Sequence, residues 1–372
     1  MSSPSSSLSL VEQIHGSGLN IVIAVTGGGS RFVSDLLAVP GASQSILEAC
    51  VPYSSAALTE WIGAEPDSYC SRETALAMAS VGWSRARRLL IESGREPHNC
   101  LGVACTASLV SSRPKRGEHR CWIAIQSDRE SVVATVTLQK GRRSRDQEES
   151  VVADLLLYLT AEACGVARNH VPVFAGDETV LVESESPSVE ICSLRSGEIP
   201  FVWSAPHTGT LFAGPGRVSA SRLDVSLPDS QRGLLCGSFN PLHRGHRAMR
   251  SAAEEILGGP VLFEMAIVNA DKPPLNFFEI EARRRQFGDA SVLLTSAPRF
   301  IDKARLFPDT TFVIGFDTAE RVLQARFYEG TDESTVAALS EIQSLGCRFL
   351  VAGRKTNEGF QTVDDLRVPA PL

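Results

Sequence analysis

Residues 232–372 alternate between apolar runs and helical stretches, and this alternation restricts the fold more than any other feature of the chain. The apolar runs are "GLLCGSF", "VLFEMAIVNA", "SVLLTSA", "TFVIGFD" and "CRFLVAG", and helical stretches such as "HRAMRSAAEEIL" separate them. Strands that are almost wholly apolar and are joined by helices form parallel sheets covered on both faces. The pattern therefore predicts an α/β fold with a doubly wound, Rossmann-like parallel sheet in this region.

A separate mixed α/β domain is predicted over residues 9–166. It begins with the strand "NIVIAVT", the glycine-rich turn "GGGS" and the helix "RFVSDLLAV". Residues 1–8 are rich in serine and are expected to be disordered. Residues 167–231 alternate apolar and polar residues between prolines and glycines, which predicts an irregular, β-rich linker. The chain is thus divided into two α/β domains, residues 9–166 and 232–372.

The charge and composition of the chain argue against several classes of partner. The net charge of -7 argues against nucleic acid, because a phosphate backbone attracts a basic surface. No apolar stretch reaches the length of a membrane span, so no membrane partner is expected. The nine cysteines include no C-x-x-C pair and are expected to be reduced and mostly buried. A secretory or transit pattern is not supported, which favours the cytoplasm, and a homo-oligomer is left open.

Two histidines stand where the first strand of the C-terminal domain gives way to a helix, in "GSFNPLHRGH" (Gly237–His246). A helix N-terminus presents unpaired N–H groups and a partial positive charge, which suits an anion. Two imidazoles at that point indicate a phosphate, although a plain helix cap is the alternative. Ligands of parallel sheets bind beyond the carboxyl ends of the strands, where "NADKP" and "FDTAE" also fall. The sequence therefore predicts one phosphate-binding crevice.

The segment Gly233–Arg354 resembles the nucleotidylyltransferase superfamily that carries the H-x-G-H signature. "GSFNPLHRGH" is close to the form found in nicotinamide and nicotinate mononucleotide adenylyltransferases. The resemblance implies that His243 and His246 are catalytic and contact the phosphates of ATP or CTP. It also implies a set of nucleotide-binding residues, namely Gly237, Ser238, Phe239, Asn240, Gly245, Lys272, Gly315 and Asp317.

Individual roles within this set follow from charge and position. Gly245 would let the chain pass close to the nucleotide, and Lys272 would hold a phosphate. Asp317 would meet ribose or substrate groups, and Gly315 would allow that approach. An ordinary surface charge is the alternative for Lys272, and a helix cap is the alternative for Asp317.

The reaction implied by the resemblance is nucleotidyl transfer to a small phosphorylated acceptor with release of pyrophosphate. Nicotinamide mononucleotide is the first candidate acceptor. Mg²⁺ is expected to accompany the nucleotide, and no metal site on the protein is expected. Catalysis of this kind consists mostly of positioning and of neutralising charge on phosphorus oxygens.

One departure from the family concerns the C-terminus. Family members close the site with a Ser/Thr-rich turn and an arginine, and no such motif follows "FLVAGR". We therefore expect the domain to be shortened at its C-terminus and the site to be incomplete. A non-catalytic nucleotide-binding or regulatory protein is the alternative function.

The segment Asn20–Gln139 resembles the C-terminal domain of competence-damage-inducible proteins, a family of nicotinamide-nucleotide amidases. The likeness lies in "TGGG", "VPGAS", "YSSAALTEWIG" and "ETALAMASVGW". Ala24 and Leu58 stand where that family has its catalytic serine and lysine. Because neither residue can act as a nucleophile or accept a proton, no amidase activity is expected. Thr26–Ser30 at a helix start predict either an anion nest or a structural turn.

Overall fold

The computed structural model describes residues 4–113, 115–166, 172, 174–205, 211–214, 232–268, 274–328, 330–356 and 359–368. The chain divides into two compact units. Unit 1 comprises Met1–Pro187 and Asp271–Phe278, and unit 2 comprises Ser188–Ala270 and Glu279–Leu372. Each unit combines helices with a sheet, which confirms the mixed α/β class predicted from the sequence.

Unit 1 is built on a six-stranded sheet. Its strands are Asn20–Thr26 (β1), Ile46–Cys50 (β2), Cys100–Ser108 (β3), His119–Gln126 (β4), Ser131–Leu138 (β5) and Val180–Glu185 (β6). The strand order is β2-β1-β3-β4-β5-β6, in which β1 runs parallel to β2 and β3 while the later neighbours are antiparallel. The helices are Pro4–His15 (α1), Ser30–Leu37 (α2), Ser55–Ile62 (α3), Arg72–Glu92 (α4) and Arg145–Ala163 (α5).

The core of unit 1 comprises several clusters. One contains residues of α1, α2 and α5, among them Ile14, Phe32 and Leu156, and others contain residues of α3 and α4. The α4 backbone lies directly against β3 at Gly102, where a Cβ would collide with the Ala79 carbonyl oxygen. Glycine is therefore required at that close approach.

Unit 2 is built on a seven-stranded sheet. Its strands are Phe201–Ser204 (β7), Leu211–Gly214 (β8), Arg232–Cys236 (β9), Val261–Ala266 (β10), Val292–Thr295 (β11), Thr310–Gly315 (β12) and Arg348–Ala352 (β13). The order is β13-β12-β9-β10-β11-β7-β8, with β9 to β13 parallel and β7 and β8 antiparallel at one edge. A hairpin follows, formed by Arg354–Thr356 (β14) and Gly359–Gln361 (β15).

The helices of unit 2 follow the strands in alternation. They are Val189–Ser196 (α6), Arg244–Leu257 (α7), Phe277–Arg285 (α8, whose first two residues fall in unit 1), Phe300–Leu306 (α9), Phe316–Val322 (α10) and Asp332–Ser344 (α11). None of the helices in the described part of the chain is both long and apolar enough to span a lipid bilayer.

The structure differs from the sequence expectation at two places. Residues 1–8 were expected to be disordered, whereas α1 begins at Pro4, because Val11 and Ile14 at its far end are buried and hold it to the core. The described parts of residues 167–231 form no separate linker. They add β6 to the first sheet and α6, β7 and β8 to unit 2, since their apolar residues pair with β5 and β11.

Candidate functional site

The candidate site lies at the carboxyl end of β9, the central strand of the parallel set. β9 lies between β10 and β12, with Cys236 paired to Glu264 and Leu235 paired to Val313. The N–H of Gly237 continues the pairing with β10 by donating to the Glu264 carbonyl at 3.0 Å. Because these strands are parallel and in register, the segments that follow β9 and β12 emerge at the same edge of the sheet.

The imidazoles of His243 and His246 form a reciprocal cap on the first turn of α7. His243 Nδ1 accepts the N–H of Gly245 at 3.1 Å, and His246 Nδ1 accepts the N–H of His243 at 3.3 Å. The two rings stack with centroids 3.7 Å apart. A neutral imidazole that accepts through Nδ1 carries its proton on Nε2. Each ring therefore caps the helix with one nitrogen and keeps an N–H donor on the other.

The surroundings of His246 favour its neutral form. The side chain is half-buried, and its burial, together with the adjacent His243, lowers the pKa of His246 below its ordinary value. Desolvation penalises the charged ring, and a second imidazole disfavours adding another positive charge beside it. The lowered pKa thus favours a His246 ring that offers an N–H dipole rather than a fixed charge.

The side chain of Phe239 is buried beside the imidazoles and is only 1% exposed. The expectation that the backbone at Phe239 lines the nucleotide-binding cleft stays a prediction. Its ring meets the edges of His246, Phe263 and Phe287 at centroid distances of 5.1, 5.4 and 5.2 Å. A Cβ on Gly237 would come within 3.0 Å of this ring, so glycine at that position leaves room for it.

Gly245 lies directly beside the ring of His243. A Cβ at this position would lie 3.1 Å from both Cε1 and Nδ1 of His243, which is tighter than ordinary contact. The absence of a side chain therefore gives the His243 ring its place over the helix turn. Close passage of the main chain to a nucleotide at Gly245 stays a prediction.

The loop between β9 and α7 is held by the C-terminal end of α8. Gln286 Oε1 accepts the N–H of Leu242 at 2.7 Å, and Gln286 Nε2 donates to the Phe239 carbonyl at 3.3 Å. Arg283 Nη1 donates to the Ser238 carbonyl at 3.4 Å. The side chains of Ser238 and Asn240 are exposed on this loop, as a ligand-binding role requires. The sequence analysis did not identify Arg283 or Gln286.

The other predicted residues are only partly brought into the site. Gly315 ends β12, and a Cβ there would meet nothing within 4 Å, so the space beside it is open. Asp317 lies in the first turn of α10, where it forms an ion pair with Arg354 just beyond β13. Lys272 lies outside the described residues.

A buried polar cluster lies beside the end of β10. Lys303 Nζ and Thr295 Oγ1 both donate to Glu264 Oε1 at 2.5 Å, and all three side chains are less than 5% exposed. Burial, together with the nearby Glu264 carboxylate, raises the pKa of the Cys236 thiol well above its ordinary value. The thiol is therefore protonated and unreactive, and the cluster fixes the strand from which the Gly237 loop departs.

In unit 1, the positions compared with the amidase family are part of the core. Ala24 and Leu58 are 1% and 2% exposed and pack in the same apolar cluster. The N-terminus of α2, predicted as an anion nest or a structural turn, is capped by the chain itself. Glu149 Oε1 accepts from Ser30 Oγ at 2.9 Å and from the N–H of Arg31 at 3.2 Å.

Within the described residues, no three His, Cys, Asp or Glu side chains are grouped so as to hold a metal ion.

No protein-family model and no curated protein matches the chain.

Several solved structures match part of the chain. The competence/damage inducible protein CihA from Agrobacterium tumefaciens is 19% identical, with 44% of this chain and 96% of that one covered and a TM-score of 0.33. A competence or damage-inducible protein from Enterobacter asburiae is 15% identical, with 43% and 96% covered and a TM-score of 0.33. A competence-damaged protein (CinA) superfamily protein from Escherichia coli is 12% identical, with 43% and 88% covered and a TM-score of 0.32. At these identities and TM-scores the likeness carries no functional argument.

Proposed function

We propose that unit 2 is a nucleotidylyltransferase that transfers a nucleotidyl group from ATP or CTP to a small phosphorylated acceptor and releases pyrophosphate. The observation that carries the proposal is the pair of capped imidazoles on α7. Because both Nδ1 atoms are engaged by backbone N–H groups, both Nε2–H groups remain as donors at a helix N-terminus.

The order of the parallel strands supports the proposal. The five parallel strands lie side by side in the order β13-β12-β9-β10-β11. Numbered along the chain this is 5-4-1-2-3, so the direction of winding changes at β9. This order supports the proposal of a doubly wound, Rossmann-like sheet, in which a ligand binds at the point where the order reverses. The two histidines follow the strand at that point.

In this reaction an oxygen of the acceptor phosphate attacks the α-phosphorus of the triphosphate. The bond from the α-phosphorus to the bridging oxygen breaks, and pyrophosphate leaves with that oxygen. The Nε2–H groups of His243 and His246 donate to the phosphorus oxygens on which charge increases. Since these donors are fixed before the nucleotide binds, little reorganisation is needed during the reaction.

Mg²⁺ would arrive with the triphosphate rather than at a site built by the protein. Mg²⁺ commonly binds through substrate phosphates and water. When bound, it neutralises part of the phosphate charge.

The test is pyrophosphate release by the full chain with ATP and CTP and a panel of phosphorylated acceptors, beginning with nicotinamide mononucleotide. We expect His246→Ala to reduce release about a hundredfold, because one preorganised donor is lost. His98→Ala is the matched control, since His98 is an exposed histidine of unit 1. Activity of His246→Ala within a few-fold of wild type contradicts the assignment. Binding of nucleotide without any release of pyrophosphate would favour the alternative, a non-catalytic nucleotide-binding protein.

A further inference from the structure

We propose that Gln286 is a positioning residue that sets the places of both imidazoles by clamping the loop between β9 and α7. The inference rests on the proposed function, because it assigns Gln286 to the same phosphate-binding site. Gln286 itself makes no contact with the reacting groups in this assignment. It acts through Phe239 and Leu242.

The clamp uses both ends of one amide. Its oxygen accepts from the N–H of Leu242, and its nitrogen donates to the carbonyl of Phe239. A glutamine side chain offers an acceptor and a donor together, which a carboxylate or an aliphatic chain does not. One side chain thus holds two points of the loop, three residues apart, at a fixed separation.

The loop has a conformation that needs such support. Phe239 has φ +43°, in the left-handed region that non-glycine residues rarely adopt. Backbone of this kind persists when surrounding contacts over-determine it, and such sites are common near functional groups. Here the contacts are the hydrogen bond from Gln286 and the packing of the Phe239 ring against Phe263 and Phe287.

Each clamped residue is directly connected to one of the imidazoles. The Phe239 ring touches the edge of His246, and Leu242 immediately precedes His243 in the chain. Loss of the clamp therefore moves both donors together. A displacement of about 1 Å at a reacting centre costs on the order of a hundredfold in rate, so a small shift of this loop is sufficient to impair catalysis.

The experiment compares Gln286→Leu and Gln286→Glu with wild type in the full chain. We expect Gln286→Leu to lower kcat about 10- to 100-fold with a smaller change in KM, because the transition-state donors move while the remaining phosphate contacts stay. Gln343→Leu is the matched control, since Gln343 is an exposed glutamine on α11 of the same unit.

The pH profile separates positioning from general destabilisation. In Gln286→Glu, the ionised carboxylate repels the Phe239 carbonyl, but the protonated form again offers one donor and one acceptor. We therefore expect the activity of Gln286→Glu, relative to that of Gln286→Leu, to rise as the pH falls. A constant ratio between the two variants across pH 5 to 8 overturns the proposal.

A second measurement does not depend on turnover. Hydrogen exchange of the Leu242 amide in the nucleotide-free chain is expected to become at least tenfold faster in Gln286→Leu and to stay unchanged in Gln343→Leu. Unchanged exchange in Gln286→Leu overturns the clamp even if the enzyme is active. Faster exchange in a chain that releases no pyrophosphate supports the clamp and counts against the proposed function alone.

Discussion

The rings of His243 and His246 stack 3.7 Å apart, inclined by 22°, at the first turn of α7. Burial and the adjacent His243 lower the pKa of His246, and a neighbouring anion would favour its charged form. If the site binds phosphate as proposed, protonation of His246 is therefore expected to be coupled to binding.

Nucleotide binding is expected to be accompanied by proton uptake at His246. The pKa of His246 is lowered in the free protein, and a bound phosphate raises it because an adjacent anion favours the charged ring. The affinity for the nucleotide should therefore increase as the pH falls from the pKa of His246 in the complex toward its lower pKa in the free protein. Calorimetric titration with ATP·Mg²⁺ in buffers of different ionisation enthalpy measures the uptake. Binding heats that are independent of the buffer at pH 6.5 would contradict this coupling, and pH 8.5 serves as the control where uptake vanishes.

Gly245→Ala is expected to reduce pyrophosphate release at least tenfold. The added methyl group lies 3.1 Å from the His243 ring, which must shift by a few tenths of an ångström and thereby disturbs its stack on His246. Gly288→Ala is the control, because Gly288 is exposed and a Cβ there approaches only the Arg285 carbonyl, at 3.9 Å. Steady-state rates and thermal denaturation are measured for both variants. Equal rates for the two would show that the ring does not depend on this glycine.

Asp317→Asn is expected to weaken nucleotide binding about tenfold, because one charge-assisted hydrogen bond to the ligand is lost. Its effect on stability is expected to be small. The ion pair with Arg354 is exposed on both sides, and such pairs contribute about 0–1 kcal/mol. Asp332→Asn is the matched control, since Asp332 is likewise an acidic residue in the first turn of a helix, α11. Titration of both variants with ATP·Mg²⁺ checks the result. A large fall in melting temperature with unchanged affinity would assign Asp317 to the fold instead.

How far the site follows from the sequence depends on how local each interaction is. The junction from Gly233 to Leu257 was predicted because an apolar run, a turn rich in glycine and proline, and a helical stretch are contiguous. The role of Gln286 could not be predicted from the sequence, because its partner Leu242 is 44 residues away and hydrogen bonds to backbone groups leave no sequence pattern. The inward orientation of Phe239 likewise depends on Phe263 and Phe287, which belong to later elements.

The fold was predictable to the same extent. The alternation of strands and helices identifies the α/β class, because burial on both faces imposes an apolar pattern on each parallel strand. The antiparallel partners β7 and β8 were assigned to a linker, since a four-residue strand carries too little periodicity to reveal its neighbour. The partner of such a short strand depends on which sheet edge is available in the folded protein.

Acid is expected to destabilise unit 1 through Glu178. The Arg143 guanidinium, together with backbone N–H groups of Gln139 and Ala175, lowers the pKa of Glu178 from 4.5 to about 2. A lowered carboxylate pKa gives stability that is complete above the unfolded value and is lost as the pH falls from about 4.5 to about 2. The shift corresponds to about 3 kcal/mol, and the side chain is almost wholly buried, so most of it should be measurable.

Urea unfolding of wild type and Glu178→Gln at pH 7 and pH 3 checks this expectation. The difference in free energy of unfolding should be largest at pH 7 and should shrink at pH 3. Glu183→Gln is the control, because Glu183 pairs with Arg72 at an exposed position. A difference that is independent of pH would remove Glu178 as the titrating group.

Glu149 at the start of α2 has a consequence for competition between anions. The fold places the Glu149 carboxylate beside the Ser30 hydroxyl and the Arg31 N–H. Its effective concentration at these donors is on the order of millimolar. A free phosphate or nucleotide at micromolar concentration is outcompeted there. The start of α2 in unit 1 is therefore neutralised by the chain's own carboxylate, which occupies the donors that a soluble anion would need.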